Sequence, residues 1–143
     1  GPLGHACRRP GDPRGTECRD WTRRLTTRGG FLIVPEIADY EVRRELTRIE
    51  AFGSLRRLDE LVARGGLLYL PVTTAEWRQA GIFWAEARNR GLPTASPDSL
   101  DADVILTACA VTIGEPDDQI IVATTNEGHL SQFCDARLWS TIS

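Results

Sequence analysis

The sequence predicts an α/β sandwich in which helices pack over a parallel sheet. Two observations carry this. Three short apolar runs, at 31–34, 67–72 and 119–123, read as strands, the first and last continuous enough to be buried on both faces. Between them lie longer stretches with helical spacing of apolar residues, so strands alternate with helices. At 143 residues the chain has room for one sizeable core and is read as a single domain, 1–143.

Residues 1–16 are rich in Gly, Pro and Arg and read as loop. A helix is expected over about 16–28, with Thr16 as its cap, Cys18, Trp21 and Leu25 on one face, and Gly29-Gly30 as its stop. Pro35 ends the strand 31–34, and helices follow over about 36–50 and 54–64. The second has Leu55, Leu58, Leu61 and Val62 on its apolar side and is closed by Gly65-Gly66. After the strand 67–72, Thr73 or Thr74 caps a helix over about 75–90, with Trp77, Ala80, Gly81 and Trp84 facing inward. A loop over 91–97 leads to Asp98 and Ser99, both suited to the N-cap of a helix over about 100–113. That helix is apolar almost all round and should be central. A turn at 114–118, the strand 119–123, a short helix over 127–133 and a weak strand at 137–139 complete the chain. Crossovers between its strands should be right-handed.

Composition narrows the function. Hydrophobic content of 41% with 26% charged residues suits a folded globular protein. No apolar run reaches the ~18 residues of a membrane span, and no apolar leader opens the chain. The four cysteines make no CxxC pair and no zinc spacing, which points to a reducing, cytoplasmic compartment. Cys109 reads as a small core residue, and a Cys7–Cys18 disulfide is an option that a chain of this size does not need. All 17 basic residues are arginine, and methionine is absent, which reads as a chain that does not begin at a translation start. The net charge of −3 divides into +3 over residues 1–64 and −6 over 65–143. Such asymmetry suits a protein that draws in a polyanion and handles it at carboxylates, and equally an unevenly charged polar surface. GxGxxG, P-loop, GxSxG and HExxH motifs are all missing, and His5 and His129 are far apart.

In open α/β sheets functional groups gather past the carboxyl ends of the strands. Glu36, Asp39 and Glu41 follow the first strand, and the residues alone do not decide among them. Asp101 can help cap the helix that Asp103 enters, whereas Asp103 lies deeper, where no cap needs it. A carboxylate there is costly unless it is paired or bound to a metal, which makes Asp103 the most informative residue. Arg43, Arg44 and Arg48 on the helix after the first strand, with Arg8, Arg9 and Arg14 near the start, suit phosphate contacts or a salt-bridge lattice. Trp77 and Trp84, seven apart, read as core rather than as base-stacking platforms.

Three segments in order, Pro35-Glu36-Ile37-Ala38-Asp39-Tyr40-Glu41, then Asp103-Val104-Ile105-Leu106-Thr107-Ala108, then Thr124-Thr125-Asn126, resemble the PIN-domain family of VapC-like prokaryotic ribonucleases. The resemblance implies a three-layer α/β/α sandwich with a mainly parallel sheet, here lacking its first strand. That strand ends in an aspartate in the family, often within Asp-Ser-Gly-Pro-Leu-Gly, and the chain opens Gly1-Pro2-Leu3-Gly4, so the aspartate would stand two positions ahead of Gly1. The family's helix acid, six residues after the strand end, falls on Glu41. Glu41 and Asp103 would then hold Mg²⁺ or Mn²⁺, with Asp101 in reserve, and Thr124 and Asn126 would position water or phosphate. Many members carry Asp where Asn126 stands. Arg43, Arg44, Arg8 and Arg9 would contact RNA, and partners would include a cognate antitoxin and a second copy in a homodimer, with no membrane. The chain as it stands is expected to be inactive, and a non-catalytic module of PIN fold that binds RNA or protein is the alternative.

Overall fold

The computed structural model describes residues 1–63, 66–91, 97–128 and 130–143, and of 97–100 it describes the backbone alone. It is a mixed α/β structure, mostly helical, with six α-helices and four short strands among the described residues. The chain divides into two compact units, Gly1–Pro71 with Ser140–Ser143, and Val72–Trp139.

The first unit opens on helix α1, Pro2–Ala6, where the composition suggested loop. Helix α2, Pro13–Thr27, also begins earlier than Thr16, because Asp12 is its cap and accepts from Gly15 N at 2.9 Å, with Pro13 preset at the first helical position. Gly15, in the first turn of α2, is buried, and a Cβ there would press on Arg8 Cβ at 3.0 Å and His5 O at 3.2 Å, so the preceding segment packs closely against this turn. Cys18 and Trp21 face inward as expected, and Trp21 Nε1 donates to Ile142 O at 3.0 Å. Gly29, at φ +86°, turns the chain out of α2.

Strand β1 covers Ile33–Pro35 and pairs in parallel with β2, Leu68–Leu70, with Ile33 opposite Leu68 and Pro35 opposite Leu70. Phe31 is 91% exposed and lies outside β1, so this run is not buried on both faces. Pro35 and Pro71 lack the N–H that would carry the ladder further, which keeps both strands short. Between the strands run α3, Glu36–Arg48, and α4, Phe52–Ala63, packed on each other, with Leu58 fully buried.

The second unit begins with α5, Thr74–Asn89, and of the two threonines Thr73 is the cap, in a reciprocal pair with Glu76. Its buried stripe is Glu76, Ala80 and Ala87, while Trp77 and Trp84 are 53% and 41% exposed, against the expectation that they face inward. Helix α6, Pro97–Thr112, packs on α5 and buries Val104, Ile105, Thr107, Ala108 and Cys109, as a central helix should. It already runs from Pro97, so Asp98 and Ser99 stand inside its first turn, their side chains outside the described ones.

Strand β3, Val122–Thr124, starts later than expected and pairs in parallel with β4, Ala136–Leu138. Val122 and Ala136 form a core with Leu130, against which Leu106, Ala110 and Cys134 pack. The helix expected over 127–133 is reduced among the described residues to the 3₁₀ turn Leu130–Gln132. Asn126 Oδ1 accepts from Gly128 N at 3.3 Å, a local bond that competes with helix formation. The four strands thus form two separate parallel pairs among the described residues. Cys7, Cys18, Cys109 and Cys134 are free thiols, and no described helix is long and apolar enough to cross a membrane.

Candidate functional site

Glu41, Arg43, Arg44, Arg8 and Arg9 belong to the first unit, and Asp101, Asp103, Thr124 and Asn126 to the second. Each set is described within its own unit.

Helix α3 starts directly at the carboxyl end of β1, with Pro35 extended at φ −65° and ψ 144° as its N-cap. Glu41 lies two turns in and is half-buried, and Arg44 Nη2 stands 3.5 Å from its Oε1. Arg44 also lies over the Tyr40 ring, 5.5 Å from the centroid.

Asp39, one of the three competing acids, is the buried one. Arg43 forks onto it, Nη2 to Oδ1 at 3.0 Å and Nε to Oδ2 at 3.3 Å, while its Nη1 reaches Asp59 Oδ1 at 2.8 Å. Tyr69 Oη adds a bond to Asp39 Oδ2 at 3.4 Å, tying β2 to α3. Its two carboxylate partners raise the Arg43 pKa further, and burial, then the charge of Asp39, raises that of Tyr69. Three of the five N–H donors of Arg43 are thus engaged within the fold, on a side chain that is 39% exposed. The i,i+4 spacing of Asp39 and Arg43 was the signal for this clamp. Arg8 bonds Asp12 at 3.4 Å, Arg9 is exposed, and Arg14 stands in the first turn of α2 rather than in a loop. Arg48 forks onto Glu45, at 2.6 and 2.9 Å.

In the second unit Asp101 is exposed and Asp103 half-buried in the second turn of α6, where its carbonyl accepts from Thr107 Oγ1 at 2.8 Å. Thr124 and Asn126 do come together. Asn126 N donates to Thr124 Oγ1 at 3.1 Å, and Thr124 Oγ1 donates to Asn126 O at 3.2 Å. The result is a tight turn at the carboxyl end of β3 that exposes the Asn126 side chain.

The metal implied by the resemblance needs a cluster of anionic or imidazole ligands. Among the described residues no three His, Cys, Asp or Glu side chains stand together so as to hold one. His129 lies outside the described residues, and His5 is half-buried on α1 with its pKa lowered, chiefly by burial.

No family model, no curated protein and no solved structure matches the chain.

Proposed function

We propose that this chain is a PIN-like, metal-dependent endoribonuclease, built as a three-layer sandwich and hydrolysing RNA phosphodiester bonds. What supports the reading is the placement of its polar segments. Glu41 lies on the helix that leaves the carboxyl end of β1, and the Thr124–Asn126 turn leaves the carboxyl end of β3, the positions where parallel α/β structures put their chemistry. The three segments also follow in the chain order that the family resemblance requires.

In this reading Glu41 and Asp103 bind Mg²⁺ or Mn²⁺, and Asp101 is a reserve ligand. Thr124 and Asn126 orient water or phosphate, and Arg43, Arg44, Arg8 and Arg9 contact the RNA. Such a site asks for a third carboxylate, the aspartate expected two positions ahead of Gly1. A cytoplasmic location, a cognate antitoxin that silences the enzyme, and a homodimer belong to the same proposal.

The test is a chain that carries the residues ahead of Gly1, incubated with single-stranded RNA and Mg²⁺ or Mn²⁺. Cleavage is expected, and Asp103→Asn should abolish it while circular dichroism stays unchanged. Full cleavage by that variant would sink the reading. Residues 1–143 alone should cut little or not at all, and robust cleavage by them would show that the expected aspartate is dispensable.

One observation favours the second reading, a non-catalytic PIN-fold module that binds RNA or protein. Asn126, which stands where many members of that family carry Asp, brings no negative charge to a metal.

A further inference from the structure

Helix α5 carries an aromatic stripe that faces water. Trp77 and Trp84 are 53% and 41% exposed, whereas the other two tryptophans, Trp21 and Trp139, are 5% and 8% exposed. Seven residues apart, the two exposed indoles share one helix face about 10 Å apart along its axis. Gly81 lies between them, and a Cβ built there would meet no atom within 4 Å, so the surface between the rings is open. Arg88, one turn past Trp84, holds its guanidinium 5.2 Å from the centroid of that ring. Arg78 adjoins Trp77 and is exposed.

Charge on this helix is sorted. Its first acid, Glu76, is buried and bonded to Thr73 N and to Thr112 Oγ1 at 3.1 Å. Its other acid, Glu86, is half-buried, with Arg90 at 3.9 Å. Arg78 and Arg88 have no ion-pair carboxylate among the described residues. The unit Val72–Trp139 has ten acids and only four arginines, and Arg78, Arg88 and Arg90 stand on α5 or at its C-cap. Positive charge in an otherwise acidic unit is thus concentrated beside two exposed indoles.

We propose that the stripe Trp77, Gly81, Trp84 and Arg88, flanked by Arg78, binds single-stranded nucleic acid. Bases stack on the two indoles, and the guanidinium groups take phosphate oxygens or lie over bases. Charge complementarity selects this occupant. A second copy laid on the same face would set arginines against arginines, and an uncharged peptide would leave the guanidinium groups without an anion. A single strand offers π-faces and phosphates at once. The proposal needs no catalytic group and stands whether or not the chain cleaves RNA.

The test uses residues 1–143 in EDTA, so that no metal-dependent cleavage intervenes, with a labelled short oligo-uridine and the matching DNA single strand as probes. Binding is expected to quench the exposed indoles and to weaken with salt. Trp77→Ala and Trp84→Ala should each weaken it about five- to a hundredfold with the melting temperature unchanged. Arg88→Gln should weaken it less and flatten the salt dependence. Failure of the unmodified chain to bind either probe, or undiminished binding by a Trp77→Ala/Trp84→Ala double variant, would overturn the proposal. So would a double variant that loses self-association in sedimentation, or attachment to anionic vesicles, while still binding the oligonucleotide.

Discussion

Arg43 and Asp39 form a two-pronged ion pair one helical turn apart, with bonds of 3.0 and 3.3 Å, on a side chain of Asp39 that is only 13% exposed. A fork of this kind fixes both partners and satisfies a carboxylate that water scarcely reaches. Because Arg43 also holds Asp59 at 2.8 Å, and Tyr69 reaches Asp39 from β2, one guanidinium joins α3 to α4 while Asp39 joins α3 to the strand pair.

Arg43→Gln should therefore destabilise the fold by about 2 kcal/mol, because it leaves the Asp39 carboxylate short of its charged donors. Asp59→Asn should cost less than ~0.5 kcal/mol, since the Asp59 side chain is 61% exposed. Urea unfolding of the two variants beside the unmodified chain separates these values. Equal effects would mean that the clamp is a surface feature.

The cap of α5 makes a second prediction. Thr73 Oγ1 accepts from Glu76 N at 3.2 Å, and Thr73 N donates in return to Glu76 Oε2 at 2.5 Å, while the other Glu76 oxygen accepts from Thr112. Thr73→Ala should cost about 1 kcal/mol, the usual value of an N-cap. Glu76→Ala should cost more, about 2 kcal/mol, because it leaves the Thr73 N–H without its charged acceptor and removes the link to Thr112, whose hydroxyl keeps Ala108 O at 2.8 Å. Thermal melts of the two variants in the same buffer rank them, and a larger loss for Thr73→Ala would contradict the geometry.

The same glutamate explains what the sequence revealed and what it hid. The strand order, a threonine cap at 73 or 74 and the buried character of α6 are legible, because each rests on local periodicity or turn chemistry. The facing of α5 is not. Trp77, Ala80, Gly81 and Trp84 make a plausible apolar stripe, yet the buried stripe is Glu76, Ala80 and Ala87. Periodicity treats a glutamate as a surface residue, and only tertiary contact shows its carboxylate satisfied by Thr73 and Thr112. Helix α1 was hidden for a different reason, since its five residues are too few to display a period. At the candidate site the sequence pointed to Glu41, Asp103, Thr124 and Asn126. Of these the fold joins Thr124 to Asn126 directly, a pairing that their i,i+2 spacing already implied. The i,i+4 spacing of Asp39 and Arg43 marks their ion pair, whereas its extension to Asp59 and Tyr69 needs the fold.

Alkaline pH offers a third prediction, sharpened by the absence of lysine. Burial pushes the thiols of Cys7 and Cys109 up from 9.0 to about 11, and the charge of Glu76 adds to the effect at Cys109. A group whose pKa is higher in the folded state contributes stability that is complete below its unfolded value and is lost as pH rises through its folded one. Stability should hold to about pH 9 and fall between 9 and 11, with Tyr69, shifted in the same direction, adding to the slope. No lysine titrates in that window to obscure it. Guanidinium unfolding across this range is the measurement, and a Cys7→Ala/Cys109→Ala variant should show a flatter loss. An equally steep loss in that variant would assign the transition elsewhere.

Thiol reactivity follows from the same burial. Cys7, Cys18 and Cys109 are 0%, 1% and 5% exposed, whereas Cys134 is half-buried at the edge of the Val122–Leu130–Ala136 core. Only the thiolate reacts, and it must be reached. At pH 8 a disulfide reagent should modify Cys134 first and the other three only on unfolding. Mass spectrometry of the partly modified protein identifies the site, and early labelling of Cys7 or Cys109 would contradict the packing.

Asn126 gives the prediction that bears most directly on the proposed nuclease. Its Oδ1 accepts from Gly128 N at 3.3 Å, and its backbone is held by Thr124, so an aspartate at this position keeps every bond of the turn and adds a negative charge on an exposed side chain. Asn126→Asp should leave the melting temperature within about a degree, because an isosteric change on an exposed turn falls within ~0.5 kcal/mol. If the carboxylate reading is right, the same change in a chain carrying the residues ahead of Gly1 should lower the Mg²⁺ or Mn²⁺ concentration needed for RNA cleavage, since each added oxygen anion strengthens a hard-cation site. Asn126→Ala, which removes the acceptor for Gly128, should instead loosen the turn and weaken cleavage. Metal titrations of cleavage for the three chains decide the matter. An unchanged metal requirement in Asn126→Asp would place this side chain away from any metal and leave Thr124 and Asn126 with a purely structural turn.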